Sequence, residues 1–207
     1  MASKNTSETG AVAAATAEPG PYLAPGVAGA AKIMVVGPLG VGKTSLIGSV
    51  SEIEPLVTEA VMTRAGSRVD TAPAAKRTTT VAFDFGRMTL GGELVLYLFG
   101  TPGQPRFLPA WRGLATGALG ALALVDTRDL SAAFDSLGHL EDLDLPFAVA
   151  VNRFPDSPDL PEDDLRLALD LLPSTPMTVC DATERGSCVR SLIALVRHLL
   201  TAATETR

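Results

Sequence analysis

Gly37-Pro-Leu-Gly-Val-Gly-Lys-Thr44 follows the pattern G-x-x-x-x-G-K-T without substitution. Ahead of it lies Ile33-Met-Val-Val36, a short apolar and largely β-branched run of the kind that forms a strand buried on both faces. Behind it, Leu46, Ile47 and Val50 recur at helical spacing. The pattern alone is common, and a glycine-rich turn that happens to precede a helix would also produce it. Set between a strand and a helix, it predicts a phosphate-binding loop.

Each residue type has a physical task. Gly37, Gly40 and Gly42 let the backbone fold back so that successive N–H groups face an anion. The following helix turns the positive end of its dipole toward the same point. Lys43 brings a charge to the β- and γ-phosphates, and the Thr44 hydroxyl is a ligand for Mg²⁺. Pro38, Leu39 and Val41 fill the variable positions, and Ser45 continues the first helical turn.

The remaining chain limits what such a loop can serve. At 207 residues it suits one α/β domain with a tail. A net charge of −6 disfavours a nucleic-acid partner, since a phosphate backbone needs clustered Lys and Arg. Cys180 and Cys188 are the only cysteines, without metal or disulfide spacing, which fits a reducing cytoplasm. The longest apolar stretch, Leu114 to Val125, is short and broken by glycine, so direct membrane insertion is not expected. The second residue is Ala2 and no cysteine lies at the C-terminus, so no lipid anchor is evident. Residues 1–29 are Ala, Gly, Thr, Ser and Pro with scattered charge, which predicts a disordered tail before a domain over 30–203 and a short tail over 204–207.

Strands and helices alternate along that domain. Glu54 to Arg77 has no clear period and reads as a long loop. Val81 to Leu90 and Glu93 to Phe99 read as strands joined at Gly91-Gly92, a hairpin signal. Phe107, Leu108, Trp111 and Leu114 suggest an irregular helix, with Trp111 either core or facing a partner. Ala118 to Val125 and Pro146 to Val151 read as buried strands ending at Asp126 and Asn152. Between them, Phe134, Leu137 and Leu140 share a helical face within 132–143. Pro161 opens another helix, Met177 to Cys180 forms a last strand, and Ser187 caps a final helix with apolar residues from Val189 to Leu200. The pattern predicts a mostly parallel sheet covered on both faces, with the loops near 36, 99, 151 and 180 converging at the carboxyl edge.

These residues together resemble the Ras-like small P-loop GTPases. More narrowly, they resemble the bacterial GTPases of conservon operons, relatives of the MglA polarity switches. The resemblance covers roughly 30 to 203 and implies a six-stranded, mostly parallel sheet with one antiparallel hairpin strand. It implies GTP and GDP as ligands with Mg²⁺. Thr80-Val-Ala-Phe-Asp-Phe85 is similar to the first switch, which makes Thr80 a metal ligand beside Thr44; counting back from the hairpin favours Thr78 instead, and a run of threonines also suits the plain start of a strand. Gly100-Thr-Pro-Gly-Gln104 is similar to the second switch, D-x-x-G-Q. There Gly103 supplies an N–H to the γ-phosphate and Gln104 orients the attacking water, with Lys43 as its catalytic companion. Gly100 stands where an acidic residue holds metal-bound water, so weaker Mg²⁺ binding is expected. Leu39 stands where fast-hydrolysing relatives have glycine, so slow hydrolysis is expected as well.

Asn152-Arg-Phe-Pro-Asp156 resembles the base-selecting N-K-x-D with one residue extra. Its Asp156 would accept guanine N1–H and the 2-amino group, and Arg153 would lie over the base. A loop in which Asn and Pro-Asp merely turn the chain is the other reading. Cys180-Asp181-Ala182 resembles the loop whose backbone N–H meets guanine O6. By resemblance, the partners are roadblock-type and other conservon-encoded proteins, among them a sensor-kinase-like membrane protein. The implied setting is the cytoplasm, peripheral to the inner membrane face through those partners. Two other readings stay open: a nucleotide-binding pseudo-GTPase scaffold, and a small P-loop kinase, although no arginine-rich lid follows residue 104.

Overall fold

The structure, a computed structural model, describes residues 29–54, 56–61, 80–92, 94–103 and 108–205. Its elements in order are β1 (Gly29–Val36), α1 (Lys43–Val50), β2 (Leu56–Val61), β3 (Thr80–Leu90), β4 (Leu94–Gly100), α2 (Leu108–Ala115) and β5 (Gly120–Asp126). A 3₁₀ turn over Leu130–Ala133 leads into α3 (Phe134–Asp142), followed by β6 (Phe147–Asn152), α4 (Glu162–Ala168), β7 (Met177–Cys180) and α5 (Arg185–Glu205). The expected tail over 1–29 lies outside the described residues except for Gly29, which already belongs to β1.

Among the described residues the strands form one sheet of seven in the order β2-β3-β4-β1-β5-β6-β7. Pairing of β1 with β4 and β5, of β5 with β6 and of β6 with β7 is parallel. Strand β3 is antiparallel to both β2 and β4, so it alone runs against the rest. The sheet is mostly parallel with one reversed strand, as expected, but carries one strand more than the expected six. The addition is β2, which lies inside the stretch read as loop. Leu56–Val61 pairs with β3 from Phe85 back to Thr80, a non-local partner that no local period announces.

Both faces are buried, and the central strands alternate between two cores. Ile33, Val35, Leu122 and Leu124 face Leu46, Ile47, Leu192 and Leu195 of α1 and α5. Met34, Val36, Ala121, Ala123 and Val125 face Trp111, Leu137, Leu140 and Leu165 of α2, α3 and α4. Trp111 is therefore core. Phe134 is not: the 3₁₀ turn rotates the start of α3, and its ring stands 47% exposed while Leu137 and Leu140 are buried. Leu200, counted in the apolar stripe of the last helix, is exposed as well. That helix begins before Ser187. Glu184 accepts the N–H groups of Gly186 and Ser187, while Ser187 Oγ takes the N–H of Asp181.

Because the parallel strands end together, the loops after β1, β4, β5, β6 and β7 meet at one edge. Leu122, fully buried at the sheet centre, tests the packing. Leu122→Ala should lower unfolding free energy by about 2–5 kcal/mol, read as a shift of the urea midpoint with an unchanged slope.

Candidate functional site

The loop after β1 has the backbone its glycines foretell. Gly37, Gly40 and Gly42 all have positive φ, at 138°, 80° and 106°. At Gly42 the demand is also steric, since a Cβ there would lie 2.7 Å from Asn152 Nδ2. Gly42 caps α1 without a side-chain hydrogen bond, so the first N–H groups of the helix remain available to an anion.

Lys43 is buried and curls back over the loop, its Nζ donating to the carbonyls of Gly37 at 2.8 Å and Pro38 at 2.7 Å. Burial lowers its pKa to about 8, against a smaller opposing pull from Asp84. The backbone of Thr101-Pro102-Gly103 lies close against this loop. Thr101 N–H donates to Val35 O at 2.9 Å, extending the β1–β4 pairing. A Cβ at Gly103 would stand 2.5 Å from Leu39 N and 2.7 Å from Lys43 Nζ, so only glycine fits. The structure thus brings Gly103 to the phosphate loop, while Gln104 lies outside the described residues. Leu39 is 72% exposed at the mouth of the site.

Thr44 reveals a residue that reading the sequence missed. Its hydroxyl donates to Asp84 Oδ2 at 2.6 Å. Asp84 is the register partner of Gly100 across β3 and β4, and a Cβ added at Gly100 would meet Asp84 Cβ at 3.0 Å and Oδ2 at 3.2 Å. The space of a side chain at 100 is filled by a carboxylate from the neighbouring strand. A hydroxyl and a carboxylate converging this way form a hard oxygen pair of the kind Mg²⁺ accepts. Thr80 opens β3, four residues before Asp84.

At the other end of the site, Asn152 joins three loops. Its Nδ2 donates to Val41 O at 2.9 Å, and its Oδ1 accepts the N–H of Ala182 at 2.9 Å. The Ala182 N–H that resemblance assigns to a base oxygen is therefore engaged by Asn152. Arg153 N–H donates to Cys180 O at 2.8 Å, while its guanidinium pairs with Asp159 at 2.6 Å. Asp181 turns inward on its own loop, accepting from Thr183 N and Oγ1. Cys180 is buried, its Sγ 3.9 Å from that of Cys188. Asp156 is 2.8 Å from Arg128 Nη1, and the same guanidinium forks onto Asp126, whose pKa is lowered first by that hydrogen bond. No spacing in the sequence points to Arg128.

Fold and site together define a protein with the P-loop nucleotide-binding fold. Residues 35–162 match the family described as "Conserved hypothetical ATP binding protein", and the chain belongs to that family. No curated protein matches the sequence. Among solved structures, the FeoB G-domain of Methanococcus jannaschii is similar in fold, with a TM-score of 0.57 and 11% identity over 82% of this chain and 97% of that one. The cytosolic domain of the T. maritima FeoB iron transporter, in apo form, has a TM-score of 0.61 and 17% identity over 82% of this chain. The match spans 64% of that domain's length. Among the described residues, no helix is long and apolar enough to cross a membrane.

The lysine makes phosphate affinity depend on pH. Free Lys43 loses its proton as pH rises through about 8, and a phosphate needs the ammonium. Nucleotide affinity should therefore fall between pH 7 and 9, approaching tenfold per pH unit above about 8. The stability of the nucleotide-free protein should move the opposite way. A lysine whose pKa is lowered on folding binds fewer protons folded than unfolded, so stability rises as pH climbs from about 8 toward 10.5. Isothermal titration and thermal melts over that range check both signs; Lys43→Ala should abolish nucleotide binding and flatten the stability profile.

Proposed function

We propose that this protein is a guanine-nucleotide switch that binds GTP and GDP with Mg²⁺ and hydrolyses GTP slowly. The observation that carries the reading is the Asn152 bridge. It fastens the phosphate loop to the loops after β6 and β7, so one end of the site meets phosphates and the other meets a base. A simple phosphate-transfer site has no use for that second end. Asp156, four residues past Asn152, offers a carboxylate for the N1–H and 2-amino group of guanine, donors that adenine lacks.

Thr44 and Asp84 would hold the Mg²⁺, which supplies charge neutralisation for the β- and γ-phosphates when bound. Asp84 removes the reason to expect weak metal binding from Gly100. Lys43 draws in the terminal phosphates, Gly103 offers its backbone beside them, and Gln104 orients water. Leu39 crowds the path to that water and offers an exposed apolar contact to partner proteins, for which roadblock-type and sensor-kinase-like proteins are the candidates that resemblance supplies.

A second reading, an adenine-nucleotide enzyme, is favoured by the family's description and by the engagement of Asp156 with Arg128. Mass spectrometry of nucleotide carried through purification decides between them. Guanine nucleotides should be found, and should bind at least about tenfold more tightly than adenine nucleotides, a difference of about 1.4 kcal/mol. Equal affinity for GTP and ATP would remove the guanine reading.

The rate and the metal give two further tests. Intrinsic turnover should be no faster than on the order of 10⁻⁴ per second, the scale of a Ras-type enzyme without an arginine finger. Leu39→Gly should raise it or leave it unchanged, and Gln104→Ala should lower it; unaided turnover near one per second would overturn this account. Asp84→Asn should raise the Mg²⁺ concentration needed for half-maximal GTP binding by at least about tenfold, as expected when a charged ligand is lost. An unchanged Mg²⁺ requirement would show that the carboxylate holds no metal.

A further inference from the structure

The sequence Asn152-Arg-Phe-Pro-Asp156 is one residue longer than the motif it resembles. One residue adds up to about 3.3–3.6 Å of chain. A carboxylate displaced that far cannot meet the two donors of a purine edge, which accept only hydrogen-bond distances near 2.7–3.2 Å. A longer loop that still selects a base must be drawn in by something outside itself.

The structure contains such a tether. Asp126 and Asn152 are register partners at the ends of β5 and β6, so the two following loops start side by side. Arg128 is locked to its own strand end. Its backbone N–H and its Nε donate to Asp126 Oδ1 at 2.9 and 3.0 Å, and its Nη2 donates to Oδ2 at 2.7 Å. This forked pair fixes the guanidinium plane. The remaining Nη1 reaches across to Asp156 Oδ1 at 2.8 Å. Below the plane, the Phe154 ring centroid lies 3.7 Å from Arg128 Cζ. A hydrogen-bonded turn closes the loop around this contact: Phe154 N–H donates to Ser157 Oγ at 2.9 Å, and Ser157 N–H to Phe154 O at 3.0 Å.

Charge decides whether this contact presents Asp156 or silences it. Asp126 already matches the single positive charge of Arg128 through two oxygens. The triad of two carboxylates and one guanidinium keeps a net charge of −1, carried outward by Asp156. That side chain is 70% exposed, and Arg128 engages only its Oδ1. An acceptor thus remains on the open side. An isolated exposed ion pair would hold a loop weakly. Here the guanidinium is immobilised on three sides, so the entropy of ordering a long side chain is already met.

We propose that Arg128 is a positioning residue for base recognition: clamped between Asp126 and the Phe154 ring, it sets Asp156 at the guanine edge, so selectivity is controlled from the loop after β5. The inference rests on the guanine reading above and deepens it. The test measures competition by GDP, ADP and xanthosine diphosphate against a fluorescent nucleotide, using the full chain. Arg128→Ala should lower the GDP-to-ADP affinity ratio at least about tenfold, with ADP affinity changed less than about threefold, because the phosphate contacts are untouched. Arg128→Lys keeps the charge but not the fork, and should give a ratio between wild type and alanine. Asp156→Asn should exchange the preference from GDP to xanthosine diphosphate, since a carboxamide donates to the 2-oxo group where a carboxylate accepted from the amino group. If Asp156→Asn makes that exchange while the Arg128 variants keep or raise the GDP-to-ADP ratio, the positioning role is overturned and the guanine reading stands. If Asp156→Asn gains no xanthosine affinity, Asp156 does not read the base and the positioning role falls; the guanine reading falls only if the wild-type chain also binds GDP and ADP equally.

Discussion

A single carboxamide holds the site together. Asn152 donates to Val41 O and accepts from Ala182 N, and it is buried where it does so. Losing it would strand a buried carbonyl and a buried N–H, each costing about 1–3 kcal/mol when left without a partner. Its position also dictates neighbours: Gly42 must lack a Cβ because the Asn152 amide occupies that space. The register that sets Asp126, Asn152 and Cys180 in one row is what lets a side chain from β6 touch the loops of β1 and β7 at once. The phosphate loop and the loops after β6 and β7 are therefore one mechanical unit.

The cost of that arrangement falls on Lys43. Drawn under the loop to bond two carbonyls, it is desolvated, and its proton is held less firmly than in water. The free protein carries this cost because Lys43 is placed for an anion rather than for the core. Gly103, in the loop after β4, lies against the same ammonium, leaving no room there for a side chain at 103.

The sequence made the phosphate loop and the direction of the sheet legible because both rest on local patterns. Glycine spacing, a lysine and a threonine mark the loop, and alternating apolar runs mark strands buried on both faces. What escaped depends on pairing between distant segments. Asp84 was visible in Thr80-Val-Ala-Phe-Asp-Phe85, and the missing acid at Gly100 was visible too. Only the register of β3 against β4 shows that one fills the place of the other. Strand β2 escaped for the same reason, since its partner β3 lies across a long connection. Arg128 escaped because its role depends on a strand end and a ring brought together by β5 and β6. Phe134 misled because helical spacing holds only where the helix has begun, and a 3₁₀ turn precedes it.

The hairpin between β3 and β4 turns at Gly91 and Gly92, both with positive φ and both open to solvent, with no atom near the space a side chain would occupy. It lies at the end of β4 remote from the loop of Thr101 to Gly103, a separation of about 20 Å for a seven-residue strand. Exposed tips of this kind accept inserted chain most readily. A fluorophore, a tether or a whole reporter domain placed there would ride on the β3–β4 ladder, which carries Asp84 at its other end, while leaving the nucleotide edge clear. The fold thus supplies its own attachment point on the side away from the phosphate loop.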